Sequence, residues 1–282
     1  MNKLRQVIES EKVYVYDQGC LKKKNYFLPF ALTDVLTTFA GINHQPIIHF
    51  WQLDHTMILG MKDTRVTNLA SGINSLKQAG YNSIVRNAGG LGVIADTGVL
   101  NVSLILPNPN NKKISIDEAY TIMWQWIRSA FEDKTHLIKA FEITESYCPG
   151  TFDLSIDGRK FAGIAQRRVK DGTAIMIYLS VTGDQQKRGE SVRDFYQASL
   201  KDDFGKNGYP PVDPSVMANL EDLIQRPLTI AEVKKELIRA LSKDAAFEID
   251  NQFISEALPS EWFSTELNKQ IEKMQQRNQL LN

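Results

Sequence analysis

Cysteine is scarce in this sequence. Only Cys20 and Cys148 occur among 282 residues, too few and too far apart for a disulfide framework or a CxxC pair, so both are expected as free thiols in a reducing compartment. An excess of charge of either sign is also missing. With 33 Lys+Arg against 33 Asp+Glu and a pI near 6.9, the chain lacks the basic surplus that grips phosphate backbones, which points to protein or small-molecule partners and away from nucleic acid. No run of about 18 uncharged apolar residues appears, so no membrane span is expected. The opening MNKLRQVIESEKVYVYDQG has no apolar core of a secretory signal, and a cytoplasmic location is expected. The four histidines, His44, His49, His55 and His136, show no metal-ligand spacing such as H-E-x-x-H. Neither G-x-x-x-x-G-K-[ST] nor G-x-S-x-G occurs, which argues against a zinc centre, a Walker-type nucleotide site and a hydrolase elbow. No metal or cofactor is expected.

What is present is an ordinary globular composition, 43% hydrophobic, with alternating element signals. VYVYD reads as extended and FALTDVLTTFAG as a helix. IIHFWQLDHTMILGM at 47–61 reads as a strand or strand pair in which His49 and His55 are satisfied structural residues, RVTNLASGINSLKQAG at 65–80 as a helix, and 83–86 and 100–106 as strands. Ser115 followed by Glu118 has capping-box spacing for a helix over 115–131. Residues 138–144 read as a strand and 152–169 as a hairpin, followed by the strand TAIMIYLSV. From about 190 onward the pattern is helical, punctuated by Pro and Gly. The expected class is therefore α/β (α+β), with mixed β-sheets flanked by helices: a catalytic unit over about 1–200 and a helical extension over 201–282 packed on it. The Lys/Glu-rich helices near 231–240 and 264–277 read as solvated faces, with a protein partner as the alternative.

Residues 86–98, RNAGGLGVIADTG, fit the loose dinucleotide pattern G-x-G-x-x-G/A through Gly90, Gly92 and Ala95. That pattern requires a helix to open at the glycines, and Asp96-Thr97-Gly98 instead reads as a turn leading to a strand, so nicotinamide chemistry is disfavoured. Two readings stay open for Gly89, Gly90 and Gly92. They serve a tight connection, or they let the backbone approach a ligand closely.

In the hairpin, Asp157-Gly158 is the favoured pair for a type I′ turn and sets the register: Ile156 opposite Arg159, Ser155 opposite Lys160, Leu154 opposite Phe161. Alternation then puts Leu154, Ile156 and Phe161 on one face and Asp153, Ser155, Lys160 and Ala162 on the other. Cys148 lies just before this hairpin in Tyr-Cys-Pro-Gly, where Pro and Gly favour a loop. A loop thiol beside a cation is a usable nucleophile at neutral pH, and Lys160 is a candidate for that cation. A buried, inert small hydrophobe is the other reading of the same residue.

RNAGGLGVIADTGVLN followed by SYCPGTFDLSIDGRKFAGIAQRR resembles the lipoate-protein ligase and octanoyltransferase superfamily, whose fold is shared with biotin-protein ligases. The resemblance runs over most of 30–200, with two motifs in the expected order. Its cysteine-bearing form is similar to the amidotransferases of that superfamily. The resemblance implies a mixed-sheet fold with an acyl pocket beside the Gly-rich segment, lined by Arg86, Gly89, Gly90 and Asp96. It further implies that Cys148 is the acyl-accepting nucleophile and that Lys160 lies near the acyl carbonyl. The implied partners are octanoylated glycine cleavage H protein as donor and the lipoyl domains of 2-oxoacid dehydrogenase E2 subunits as acceptor. ATP-using ligases resemble RRSGGGAVFHD at this place; here Leu91 replaces the third Gly of the triplet and Ala95 the His. The rival donors are octanoyl-acyl carrier protein and, for a ligase, free lipoate with ATP. A module that binds lipoyl domains without turnover is the non-enzymatic alternative.

Overall fold

The computed structural model describes residues 7–8, 10–108, 113–245 and 247–281. Residues 1–6, part of the stretch read above for a signal segment, lie outside the described residues. Eleven strands are described: β1 (Lys12–Leu21), β2 (Ile47–Leu53), β3 (Thr56–Leu59), β4 (Asn82–Val85), β5 (Val93–Ala95), β6 (Val99–Pro107), β7 (Lys139–Ala140), β8 (Leu154–Ile156), β9 (Arg159–Val169), β10 (Gly172–Ser180) and β11 (Glu248–Asp250). The helices are α1 (Leu28–Asn43), α2 (Leu69–Gln78), α3 (Ile116–Ala130), α4 (Gln185–Leu200), α5 (Leu220–Ile224), α6 (Ile230–Ala245), α7 (Phe253–Ala257) and α8 (Glu261–Asn278).

Eight strands form one mixed sheet in the order β11-β1-β2-β6-β10-β9-β8-β7, and β4-β3-β5 form a second, smaller one. The 47–61 segment is thus a strand pair, but β2 enters the large sheet and β3 the small one, with His55 at a φ of 41° in the turn between them. Alternation along β6 shows how the large sheet is covered. Leu100, Val102, Leu104 and Leu106 pack with α3 and α6, whereas Ile105 packs on the opposite face with Leu32, Val35 and Leu36 of α1. A third apolar cluster joins the small sheet to α2 and α4 through residues such as Leu76 and Phe195. Ser115 caps α3 by accepting the Glu118 amide at 3.1 Å. Among the described residues no helix is long and apolar enough to cross a membrane.

Three expectations are corrected. The helix read over 65–80 starts only at Leu69, because Asn68 caps it by accepting the Ser71 amide. The strand read over 138–144 pairs for two residues only, after which the chain turns away and the Ile143 amide donates to Asp153 at 3.2 Å. The hairpin turn is type I′ as expected, with Asp157 at φ 50° and Gly158 at φ 74°. Its register holds for Ile156–Arg159 and Ser155–Lys160 and then shifts, so that Leu154 faces Ala162 rather than Phe161. The extra residue forms a β-bulge, and it brings Phe161 and Ala162 together into the core that Leu154 occupies. The stretch after 200 is mainly helical, and it also supplies β11, which pairs in parallel with β1.

Candidate active site

Three segments meet in one place. The small sheet delivers Arg86 at the end of β4 and the Gly-rich turn between β4 and β5; the loop between β7 and β8 delivers Cys148; β9 delivers Lys160. Between them lies a cavity of roughly 390 Å³ whose apolar wall includes Phe30, Trp51, Ile58 and Ile177, and whose lining also includes Arg86, Gly89, Gly90, Cys148 and Lys160. No helix opens at the glycines; β5 follows them, which removes the dinucleotide reading on the ground given for it, since no helix N-terminus is there to meet a pyrophosphate. Asp96 is not brought to this cavity. Its carboxylate pairs with the buried Arg188 guanidinium, with oxygens 2.6 and 2.7 Å from Nη2 and Nε.

Cys148 is half-buried and sits in the left-handed region at φ 49°, a conformation that a Cβ-bearing residue holds only when its surroundings fix it. They do so here. The Leu91 amide donates to Sγ at 3.2 Å, and Arg86 Nη2 lies 3.8 Å from the same sulfur. An N–H and a guanidinium aimed at one sulfur attract a thiolate. Arg86 is in turn held by the carbonyls of Gly89 at 2.6 Å and Leu91 at 3.1 Å. Gly90, at φ 91°, leaves the space they need, because a Cβ there would stand 2.4 Å from Arg86 Nη2 and 3.1 Å from the sulfur. Of the two readings left open for the glycines, the structure gives Gly90 a close approach to its own nucleophile candidate and cation.

The cation beside the sulfur is therefore Arg86 and not Lys160, which lines the same cavity from β9. Its ammonium donates to the Cys148 carbonyl at 2.8 Å, the Tyr147 carbonyl at 3.0 Å and Ser146 Oγ at 3.1 Å, and pairs with Asp153 Oδ1 at 2.9 Å. Both members of the pair are 2% exposed. Burial raises the Asp153 carboxyl above its ordinary range, and the Lys160 ammonium with the amides of Ile143 and Gly150 works against that rise. Asp153 was not singled out in the sequence, although the hairpin alternation had placed it on the Lys160 face. Nothing local signalled the Leu91 amide. His49 is fully buried between Thr33 and Gln18, and burial lowers it to about 3.

The description "lipoyl protein ligase A/B catalytic domain" matches residues 25–242. The chain belongs to this lipoyl protein ligase A/B family. Within it, the chain is 41% identical over 252 residues to an octanoyl-[GcvH]:protein N-octanoyltransferase of Macrococcus caseolyticus, covering 89% of each chain. It is 44% identical over 255 residues to the protein of that name from Staphylococcus epidermidis, covering 90% of this chain and 88% of the other. A lipoyl-[GcvH]:protein N-lipoyltransferase of Listeria monocytogenes is 40% identical over 230 residues, 81% of this chain and 82% of its own. Among solved structures, lipoate-protein ligase A bound with ATP superposes with a TM-score of 0.68 at 18% identity, over 93% of this chain and 94% of that one. A bi-partite lipoate protein ligase from Thermoplasma acidophilum does so at 0.61 and 19%, over 93% and 92%. These likenesses place the mixed sheets and flanking helices within the lipoyl protein ligase A/B fold expected from the resemblance.

Proposed function

We propose that the protein is a cysteine-dependent acyltransferase. It takes an octanoyl or lipoyl group from a lysine of the glycine cleavage H protein and passes it to lysines of the lipoyl domains of 2-oxoacid dehydrogenase E2 subunits, through an acyl thioester on Cys148. The observation that carries this reading is the Cys148 thiol set in the wall of a largely apolar cavity, with the Leu91 amide and the Arg86 guanidinium directed at its sulfur. The names of the relatives point to the same donor.

In the first half-reaction the thiolate attacks the acyl carbonyl of the donor amide. The carbon–sulfur bond forms, the carbon–nitrogen bond breaks, and the departing lysine amine takes up the proton that the thiol gave. The second half-reaction runs the same steps in reverse with the acceptor lysine. An amide is exchanged for an amide, so the net free energy is near zero and no ATP is required. The barrier lies in the tetrahedral oxyanion and the poor amine leaving group, which pre-oriented donors lower. Burying the roughly seven carbons of an octanoyl tail at about 0.8 kcal/mol each holds the chain with about 5–6 kcal/mol. Arg86 and the Leu91 amide are assigned to the sulfur, and Gly89 and Gly90 to the close approach of the turn. Lys160 is assigned to fixing the 146–148 loop through its contacts to the Tyr147 and Cys148 carbonyls. Asp96, tied to Arg188, has no part in the proposal.

The test is intact-mass spectrometry after incubation without ATP, with octanoylated H protein and separately with octanoyl-acyl carrier protein. The expected result is a gain of one octanoyl group from the H protein, removed by neutral hydroxylamine and absent in Cys148→Ala. A gain from the carrier protein alone moves the donor assignment. No adduct from either donor in rapidly quenched samples overturns the role of Cys148.

A further inference from the structure

Behind the Gly-rich turn lies a buried carboxylate that the reaction above does not use. Asp63 is 0% exposed. Its Oδ2 accepts the Gly60 amide at 2.7 Å, and its Oδ1 accepts the Tyr196 hydroxyl at 2.8 Å. Tyr196, on α4 and equally buried, accepts in turn the Gly92 amide at 3.2 Å. The peptide joining Leu91 to Gly92 is one rigid plane. Its oxygen faces Arg86 and its N–H faces Tyr196, so both ends are held. The preceding N–H, that of Leu91, is the one on the Cys148 sulfur. On the other side, a Cβ at Gly60 would lie 1.9 Å from the Gly90 carbonyl oxygen. By holding the Gly60 amide, Asp63 therefore also fixes the surface against which Gly90 rests.

We propose that Asp63 and Tyr196 are positioning residues for Cys148: they lock the 90–92 turn in the one orientation that puts the Leu91 amide and the Arg86 guanidinium on the sulfur. The proposal rests on the reading of Cys148 as the nucleophile. An uncharged, well-packed interior would hold the small sheet at less cost than a buried carboxylate. Burial pushes Asp63 up to about 6 against the pull of Tyr196, the Gly60 amide, Arg86 and Lys62. Such a group, three hydrogen bonds and one peptide from a nucleophile, fits a role in orientation.

The test compares Tyr196→Phe with Tyr209→Phe in a Cys20→Ser background, so that Cys148 is the one thiol read. Tyr209 packs beside Tyr196 with ring centroids 5.8 Å apart, and its hydroxyl donates to the Lys62 carbonyl at 3.0 Å without touching the turn. Tyr196→Phe is expected to slow iodoacetamide modification of Cys148 about threefold. It is expected to slow the single-turnover formation of the acyl adduct about tenfold or more, while the KM for octanoylated H protein stays within about twofold. Tyr209→Phe is expected to leave all three at the values of the parent. Modification and acylation of Tyr196→Phe at the parent rate overturn the proposal, and so does an equal slowing in Tyr209→Phe, which would mark general loosening. If Tyr196→Phe does not fold, Asp63→Asn, close in size, is compared in its place. If neither donor acylates the parent protein, the proposed function fails, while the iodoacetamide comparison still decides the positioning role.

Discussion

At the scale of single residues, the pair Lys160–Asp153 and the group Asp63 pose opposite electrostatic problems. Lys160 and Asp153 neutralise one another in the interior, and every ammonium proton has an oxygen to meet. Removing one partner leaves a buried charge unpaired, which costs about 3–5 kcal/mol. Lys160→Met is therefore expected to lose about that much in urea unfolding, and the double variant Lys160→Met/Asp153→Leu to regain a large part of it. Additive losses in the double-mutant cycle would refute a coupled pair. Asp63 has no such full partner. Its carboxyl, at about 6 in the fold against 3.8 unfolded, binds a proton more readily folded than unfolded, so it stabilises the protein as pH falls from 6 towards 4 and this contribution is lost as pH rises through 6. At about 1.4 kcal/mol per pKa unit the difference is about 3 kcal/mol. His49, at about 3 folded against 6.5 unfolded, has the reverse sign: its contribution is present above 6.5 and is lost as pH falls below it. Between pH 6 and 4 the two effects offset each other. Because His49 is common to both proteins, Asp63→Asn reads the Asp63 contribution alone, and its unfolding free energy relative to the parent is expected to fall by about 2 kcal/mol between pH 7 and 4. A difference that stays constant over that range would refute the assignment.

At the scale of elements, the Gly-rich turn is where local conformation and chemistry coincide. Gly90→Ala meets a backbone at φ 91° that disfavours a Cβ, and the added methyl would press on Arg86 at 2.4 Å. The expected outcome is a fall in acyl-adduct formation of about a hundredfold, with a stability loss of only about 1–2 kcal/mol in thermal unfolding. An equal loss from stability alone, seen as parent-like activity in the folded fraction, would show the turn to be a connector. The Asp157–Gly158 turn was legible in the sequence because its chemistry is local: two residues decide the turn and the turn decides the first two pairs. The bulge after Lys160 was not legible, since it is decided by how Phe161 and Ala162 pack against distant helices. The strand pair at 47–61 could be read from its composition, but its division between two sheets could not. Cys148 and Arg86, 62 positions apart, meet through the packing of the small sheet against the large one, and only the family resemblance put them in one site beforehand. Asp63 sits in KDTRV, a stretch with no pattern that separates a buried carboxylate from a surface one.

At the scale of the whole molecule, the helix α8 covers the edge strand that leads into the site. The strand β4 is an edge of the small sheet, and an exposed edge leaves backbone groups open to stray pairing. Asn278, at the end of α8, covers it with a side-chain amide that copies a neighbouring strand: its Oδ1 accepts the Val85 N–H at 2.7 Å and its Nδ2 donates to the Val85 carbonyl at 3.1 Å. Val85 is the residue before Arg86, so the far end of the chain fixes the backbone from which the cation of the site projects. The helix α8 is itself anchored on α1, where Phe263 packs in the cluster of Leu32 and Leu36. Asn278→Leu keeps the volume and removes both hydrogen bonds, leaving two buried backbone groups unmet at about 1–3 kcal/mol each. The expected result is faster hydrogen exchange at the Val85 amide, a lower urea midpoint, and slower acylation of Cys148 in the fraction that remains folded. Unchanged exchange at Val85 would mean that β4 needs no cover. Faster exchange with parent-like acylation would mean that Arg86 is held by the Gly89 and Leu91 carbonyls alone, so that α8 acts on stability without reaching the sulfur. The double contact on the peptide next to Arg86 favours the coupled outcome, because a side chain that merely filled space at that edge would not need both a donor and an acceptor aligned with one residue's backbone.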